Sequence, residues 1–156
     1  MLFRSHVPEP TDGVTTDTLP AGDIIIPFAT WQNDKEQLLQ RPGKFGIRLN
    51  GDHDVAEIST DLPHFAVIAL QFPSFRDGRS YSIASALRQH YGYTGELRAV
   101  GNVLRDQLGY MERAGFDAFE IDASQTIEDA LNAFDEISVK YQTASDEPLP
   151  LYKRRA

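Results

Sequence analysis

Phe65-Ala66-Val67-Ile68-Ala69-Leu70, followed by Phe72-Pro73-Ser74-Phe75-Arg76-Asp77-Gly78-Arg79, is the stretch on which the fold turns. The first six residues are apolar and too few for a helix, so they form a buried strand. After the second eight, Ile83, Ala84, Leu87 and Tyr91 share one helical face in a segment that begins near Ser80. Gly92 then supplies a left-handed stop. The eight residues in between are a strand-to-helix corner. In parallel α/β proteins such corners carry the functional groups.

The same unit recurs on either side. Upstream, Asp23-Ile24-Ile25-Ile26-Pro27 is a β-branched burst, and Thr30 is placed to cap a helix to about Gln40 that Pro42-Gly43 ends. Phe45–Leu49 is a second strand. Asn50-Gly51 would suit a hairpin, making Val55–Ser59 an antiparallel strand. Val55, Ile58 and Leu62, at steps of three and four, favour instead a short helix capped by Asp52 or Asp54.

Downstream, Leu97–Val100 is a strand ending at Gly101. Asn102 would cap a helix with Leu104, Leu108 and Met111 inward, stopped by Gly115. Phe116–Ile121 alternates like a half-exposed strand. Thr126 with Asp129 resembles a capping box, opening a helix whose apolar stripe is Ile127, Leu131, Phe134, Ile137 and Tyr141.

Five strands, each followed by a helix, predict an α/β protein with a mostly parallel five-stranded sheet of successive βα units. At 156 residues an open doubly wound sheet fits better than a closed eightfold barrel, which takes about 250. A barrel fragment completed by a partner chain is the alternative. Residues 1–22, rich in Pro, Thr and Gly, read as an extended lead-in, 23–143 as one domain and 144–156 as a flexible tail.

Composition removes whole classes of function. A formal net charge of −8 argues against nucleic acid as partner. With no cysteine there is no disulfide, thiolate metal site or catalytic thiol. No apolar run reaches the roughly 18 residues of a membrane span, and no signal-like apolar segment opens the sequence, so a cytoplasmic location is expected. His6, His53, His64 and His90 are scattered, and Asp52-His53-Asp54 reads as a solvated loop rather than a metal site. Without a glycine-rich dinucleotide fingerprint or a phosphate loop ending in lysine, no nucleotide cofactor is expected. The long last helix would suit a homodimer.

The chemistry concentrates in three corners: Arg76-Asp77-Gly78-Arg79-Ser80, then Gly101-Asn102 with Arg105, Asp106 and Gln107, then Glu120 with Asp122. Six arginines and no lysine fall between residues 76 and 113. The planar guanidinium fork matches carboxylate, phosphate or sulfate. Arg76, Arg79, Arg105, Ser80, Asn102 and Gln107 are therefore candidates for a small oxyanion, helped by helix N-termini near Ser80 and Asn102. Equally, Arg76 and Arg79 could pair with Asp77, Asp106 or the acidic third corner. Asp77 and Asp106 are the candidate general acid and base.

Phe72-Pro73-Ser74-Phe75-Arg76-Asp77-Gly78-Arg79-Ser80-Tyr81-Ser82, Leu87-Arg88, Gly92-Tyr93, Gly95–Gly101, Val103, Arg105–Leu108 and Gly115–Phe119 together resemble a bacterial family, domain of unknown function 934. The likeness covers about residues 65–121, more weakly from about residue 23. The family is often labelled an oxidoreductase of sulfite reduction, after its gene position beside assimilatory sulfite reductase and the reductase of activated sulfate. The resemblance thus implies a place in sulfur assimilation, with either reductase as partner, but brings no catalytic residues. Arg76 stands where the pattern usually has Thr, and Ala114 where Cys is common. With the arginine-rich corner it implies an accessory or binding protein that recognises a sulfur oxyanion or the reductase. The alternatives are an acid/base enzyme for a small acidic substrate and an oxidoreductase that works only with a partner reductase.

Overall fold

The computed structural model describes residues 2–3, 19, 22–121, 124–136, 143–145, 149 and 153. Its strands are β1 (Leu2–Phe3), β2 (Ile24–Pro27), β3 (Phe45–Leu49), β4 (Phe65–Phe72), β5 (Glu96–Gly101) and β6 (Ala118–Phe119). Its helices are α1 (Phe28–Leu39), α2 (Arg79–Gln89), α3 (Leu108–Ala114) and α4 (Ile127–Asp135). All strands are parallel in one open sheet, ordered β1-β6-β5-β4-β3-β2. The five strands expected from βα alternation are present, and a two-residue strand from the lead-in is added beyond β6.

Register stacks the core in layers. Ile26, Ile47, Ile68 and Leu97 form one row, each fully buried. Leu49, Leu70, Ala99 and Phe119 form the next row towards the carboxyl ends. Trp31, Ile83, Leu87, Met111 and Ala130, one or more from each helix, pack with these rows in a single core. Each fully buried aliphatic or aromatic side chain contributes about 1.5–3 kcal/mol over its exposed state. The alternate strand residues point to the other face. Its middle row is Pro27, Arg48, Ala69, Arg98 and Ala118.

Several elements differ from the sequence expectation. Helix α1 starts at Phe28, directly after Pro27, and Thr30 is buried within it rather than capping it. Proline has no N–H to continue a ladder and a φ already set for a helix start, so strand gives way to helix there. The segment after β3 is helical, as 3-10 turns at Val55–Ile58 and Leu62–His64, and Asp54 caps the first by accepting from Ala56 N. Asn102 caps nothing. Gly101, at φ +92°, turns the chain across the end of β4, and regular turns begin only after Leu104. Thr126 does cap α4, accepting from Asp129 N at 3.2 Å. Yet α4 buries Ala130 and Ala133, while Ile127 and Leu131 are exposed. Ile137, Tyr141, Asp122, most of the lead-in and most of the tail lie outside the described residues.

One polar group in the core carries a pH prediction. Asp61 is buried, accepting from Trp31 Nε1 at 2.9 Å and from Lys35 Nζ at 2.6 Å. Burial pushes its carboxyl up, but the bonds from Lys35, Trp31 and Thr60 and the Lys35 charge hold it below the ordinary value. A depressed native value means the stabilisation is complete above the unfolded pKa of about 3.9 and is lost as pH falls below it. In urea titrations the midpoint should fall between pH 5 and pH 3, and fall less in Asp61→Asn. Equal slopes in the two proteins would rule out this role.

Candidate functional site

The β4–α2 and β5–α3 corners meet at the carboxyl edge of the sheet. Gly101 lies so close to β4 that an added Cβ would sit 2.6 Å from Phe72 O, and Asn102 N donates to that same oxygen at 2.8 Å. Further out, Gln107 Nε2 donates to Phe75 O at 3.1 Å. These contacts join Phe72–Arg79 and Gly101–Gln107 into one surface. Between β2 and β6 the strand order never reverses, so no crevice opens between oppositely directed crossovers. A ligand at this edge is held by the loops.

The three arginines expected here have different neighbours. Arg79 is gripped by Asp77, through Nε at 2.9 Å and Nη2 at 2.7 Å, and by Asp52 of the β3 loop. Its stem packs on Gly51, where any Cβ would collide with it. Arg105 turns towards α4, with Asp129 at 2.9 Å and Glu136 at 2.7 Å. Arg76 is exposed, its guanidinium 5.5 Å from the Phe75 ring centre. Among the described residues no carboxylate holds it.

The other candidates divide in the same way. Hydrogen bonds from Arg79 hold the Asp77 carboxyl down at about 2, which makes it a weak base at neutral pH. Asp106 is exposed, with no hydrogen-bond or ion-pair partner among the described residues. Ser80 is buried and donates its hydroxyl to Gln71 O at 2.8 Å, so that group faces the sheet rather than solvent. Asn102 is exposed. Gln107 bridges the corners, and its Oε1 is buried with no hydrogen-bond partner among the described residues. Burial, together with Tyr110 and Asp106, pushes the Tyr81 hydroxyl up to about 12, so it stays protonated at neutral pH. In the β3 loop the polar side chains have local partners. Asp52 holds Arg79, His53 Nδ1 accepts from Asn50 N at 2.9 Å, and Asp54 caps its turn. Among the described residues no three His, Asp or Glu side chains are placed to hold a metal.

The remaining signature residues converge at the opposite end of the sheet. Arg88 donates to Gly115 O at 2.9 Å, Tyr93 O at 2.6 Å, Gly95 O at 2.8 Å and Asp117 Oδ2 at 3.0 Å. Asp117 Oδ1 accepts from Leu97 N at 2.9 Å, and Tyr93 Oη donates to Phe65 O at 3.1 Å. The Leu87-Arg88, Gly92-Tyr93, Gly95 and Gly115-Phe116-Asp117 motifs are thus parts of one clamp beneath β4, β5 and β6. A family model described as bacterial protein of unknown function, DUF934, matches residues 46–152. The chain belongs to the DUF934 family. No curated protein matches it. The DUF934 match begins within β3, so carboxyl edge and clamp both lie inside it, whereas β1, β2 and α1 precede it.

Sequence reasoning passed over the second face of the sheet. Arg48 and Arg98 share a register row there, with Ala69 between them. Arg98 is buried and bonds Glu96 Oε1 at 2.7 Å. Desolvation lowers Arg48, and the Glu120 charge offsets part of that. The available signal was a charge at alternate positions of otherwise apolar strands, in Phe45–Leu49 and Leu97–Val100. Two clefts lie among the described residues. One, of about 510 Å³, separates α2 from α3 beside Tyr81 and Tyr110, and one of about 820 Å³ adjoins the Arg88 clamp. No helix among the described residues is long and apolar enough to cross a membrane.

Proposed function

We propose that this DUF934 protein is a cytoplasmic accessory or binding protein of sulfite and sulfate reduction, taking a small oxyanion at the carboxyl edge. The observation that carries the ligand part is Arg76. It is exposed at the end of β4, and no described carboxylate occupies its guanidinium. A tetrahedral or pyramidal oxyanion offers that fork paired acceptors. Asn102 lies on the adjoining corner, its N bonded to Phe72 O at the end of β4, while Arg79, half exposed, is already held by two aspartates. The pathway rests on the family resemblance, which also points to sulfite reductase or the activated-sulfate reductase as the partner.

Calorimetric titration with sulfite and sulfate tests the ligand part. Binding should be present and should weaken about tenfold in Arg76→Ala, the loss of one charged hydrogen-bonded contact. Absence of heat with both anions would discard it. Growth of a deletion strain on sulfate against cysteine as sulfur source tests the pathway, and equal growth on both would remove it. Asp106, exposed without a described partner, keeps an acid/base enzyme as the second reading. Under that reading Asp106→Asn stays folded and loses turnover of a small acidic substrate.

A further inference from the structure

We propose that the carboxyl edge takes a nucleotide, a heteroaromatic ring joined to the anionic group, rather than a bare oxyanion. This rests on the oxyanion assignment and names the rest of the ligand. Phe75 is 49% exposed and Tyr110 65% exposed. Single exposed aromatics are ordinary, but these two are linked. Gln107 donates to Phe75 O at 3.1 Å and stands three residues before Tyr110, a spacing that puts side chains on one side of a helical turn. The Tyr110 ring meets Tyr81 at 5.0 Å, and Tyr81 packs edge-on against buried Phe72 at 5.1 Å. The Tyr110 ring is therefore anchored to the core, while the bond from Gln107 fixes the backbone that carries Phe75.

Charge at the same edge selects the ligand further. Arg76 lies over Phe75 and supplies the cation for a phosphate. Asp106, beside Gln107, carries an exposed carboxylate with no described hydrogen-bond or ion-pair partner. It can accept from a ring amine, as adenine offers. Stacking on Phe75 or Tyr110 suits a purine because every base presents a π-face.

The test is calorimetry on the full chain with adenosine 5′-monophosphate, ribose 5-phosphate and sodium sulfate. Adenosine monophosphate should bind roughly five- to a hundredfold more tightly than ribose 5-phosphate, the usual range for one stacked base. Phe75→Ala and Tyr110→Ala, both at exposed positions and checked for fold by circular dichroism, should reduce that gain. Equal affinity for the two phosphates overturns the ring site while leaving the oxyanion site standing. A gain that survives in both variants also overturns it. No heat with any of the three removes the oxyanion site as well.

Discussion

Arg88→Met should lower stability by about 3–4 kcal/mol, seen as a lower urea midpoint with an unchanged slope. Three of the four Arg88 bonds go to backbone carbonyls, of Tyr93, Gly95 and Gly115, from a side chain only 18% exposed. Charged donors of this kind contribute about 1.5–3 kcal/mol each, and removing them leaves the carbonyls short of partners. Water would restore part of that at Gly95, which lies at the surface end of β5. The ion pair with Asp117 adds little, because that carboxylate is 48% exposed. Methionine keeps the stem that packs against Gly115, so the effect isolates the guanidinium. For a domain of this size the melting temperature should drop by about 10 °C. Arg88→Lys should recover only about half, since a single ammonium cannot span three carbonyls set by a planar fork. A midpoint within about 0.5 kcal/mol of the parent protein would show that the clamp is not what ties α2 to the strands.

The clamp also shows why a signature motif is poor evidence of a catalytic site. Arg88 was legible as one of six arginines between residues 76 and 113, but its partners lie up to 29 residues away. Asp77, two residues from Arg79, was legible as its partner, but distance hid the second partner of Arg79 and those of Arg105. Asp52 and Glu136 reach them across 27 and 31 residues, and only the folded chain brings them together. Local pattern did specify β3 and the Gly115 stop, and it narrowed the cap of Val55–Ile58 to Asp52 or Asp54, because each depends on neighbours within a few residues. Helix α4 marks the boundary between the two cases. Its 3.6-residue period was legible, and period states which residues share a face. Which way that face turns is decided by packing. The small Ala133 lies against Gly109 of α3, allowing close approach, and Ile127 and Leu131 are left facing water.

Gly101→Ala should cost about 3 kcal/mol, whereas Gly109→Ala should be neutral or slightly stabilising. Both substitutions add one methyl group, so hydrophobicity cannot separate them. Gly101 stands at φ +92°, a conformation costing a side-chain-bearing residue about 1–3 kcal/mol, and its new Cβ would lie 2.6 Å from Phe72 O. That oxygen is backbone within the central strand and cannot rotate away. Relief would have to come from the chain after Gly101, breaking the 2.8 Å bond from Asn102 N. Gly109 has a helical backbone, and its Cβ would meet only Ala133 O at 3.6 Å, an ordinary contact. There alanine removes backbone freedom from the unfolded chain, which favours the fold by about 0.4–1 kcal/mol. Because Gly101 sets the path to Asn102 and Gln107, its variant should also bind sulfate more weakly than Gly109→Ala does. Urea midpoints and sulfate titrations on the two proteins decide the matter. If the two substitutions cost the same, the close approach of β5 to β4 at Phe72 does not shape the edge. If stability falls without any change in sulfate binding, the anion does not depend on the loop that Gly101 launches.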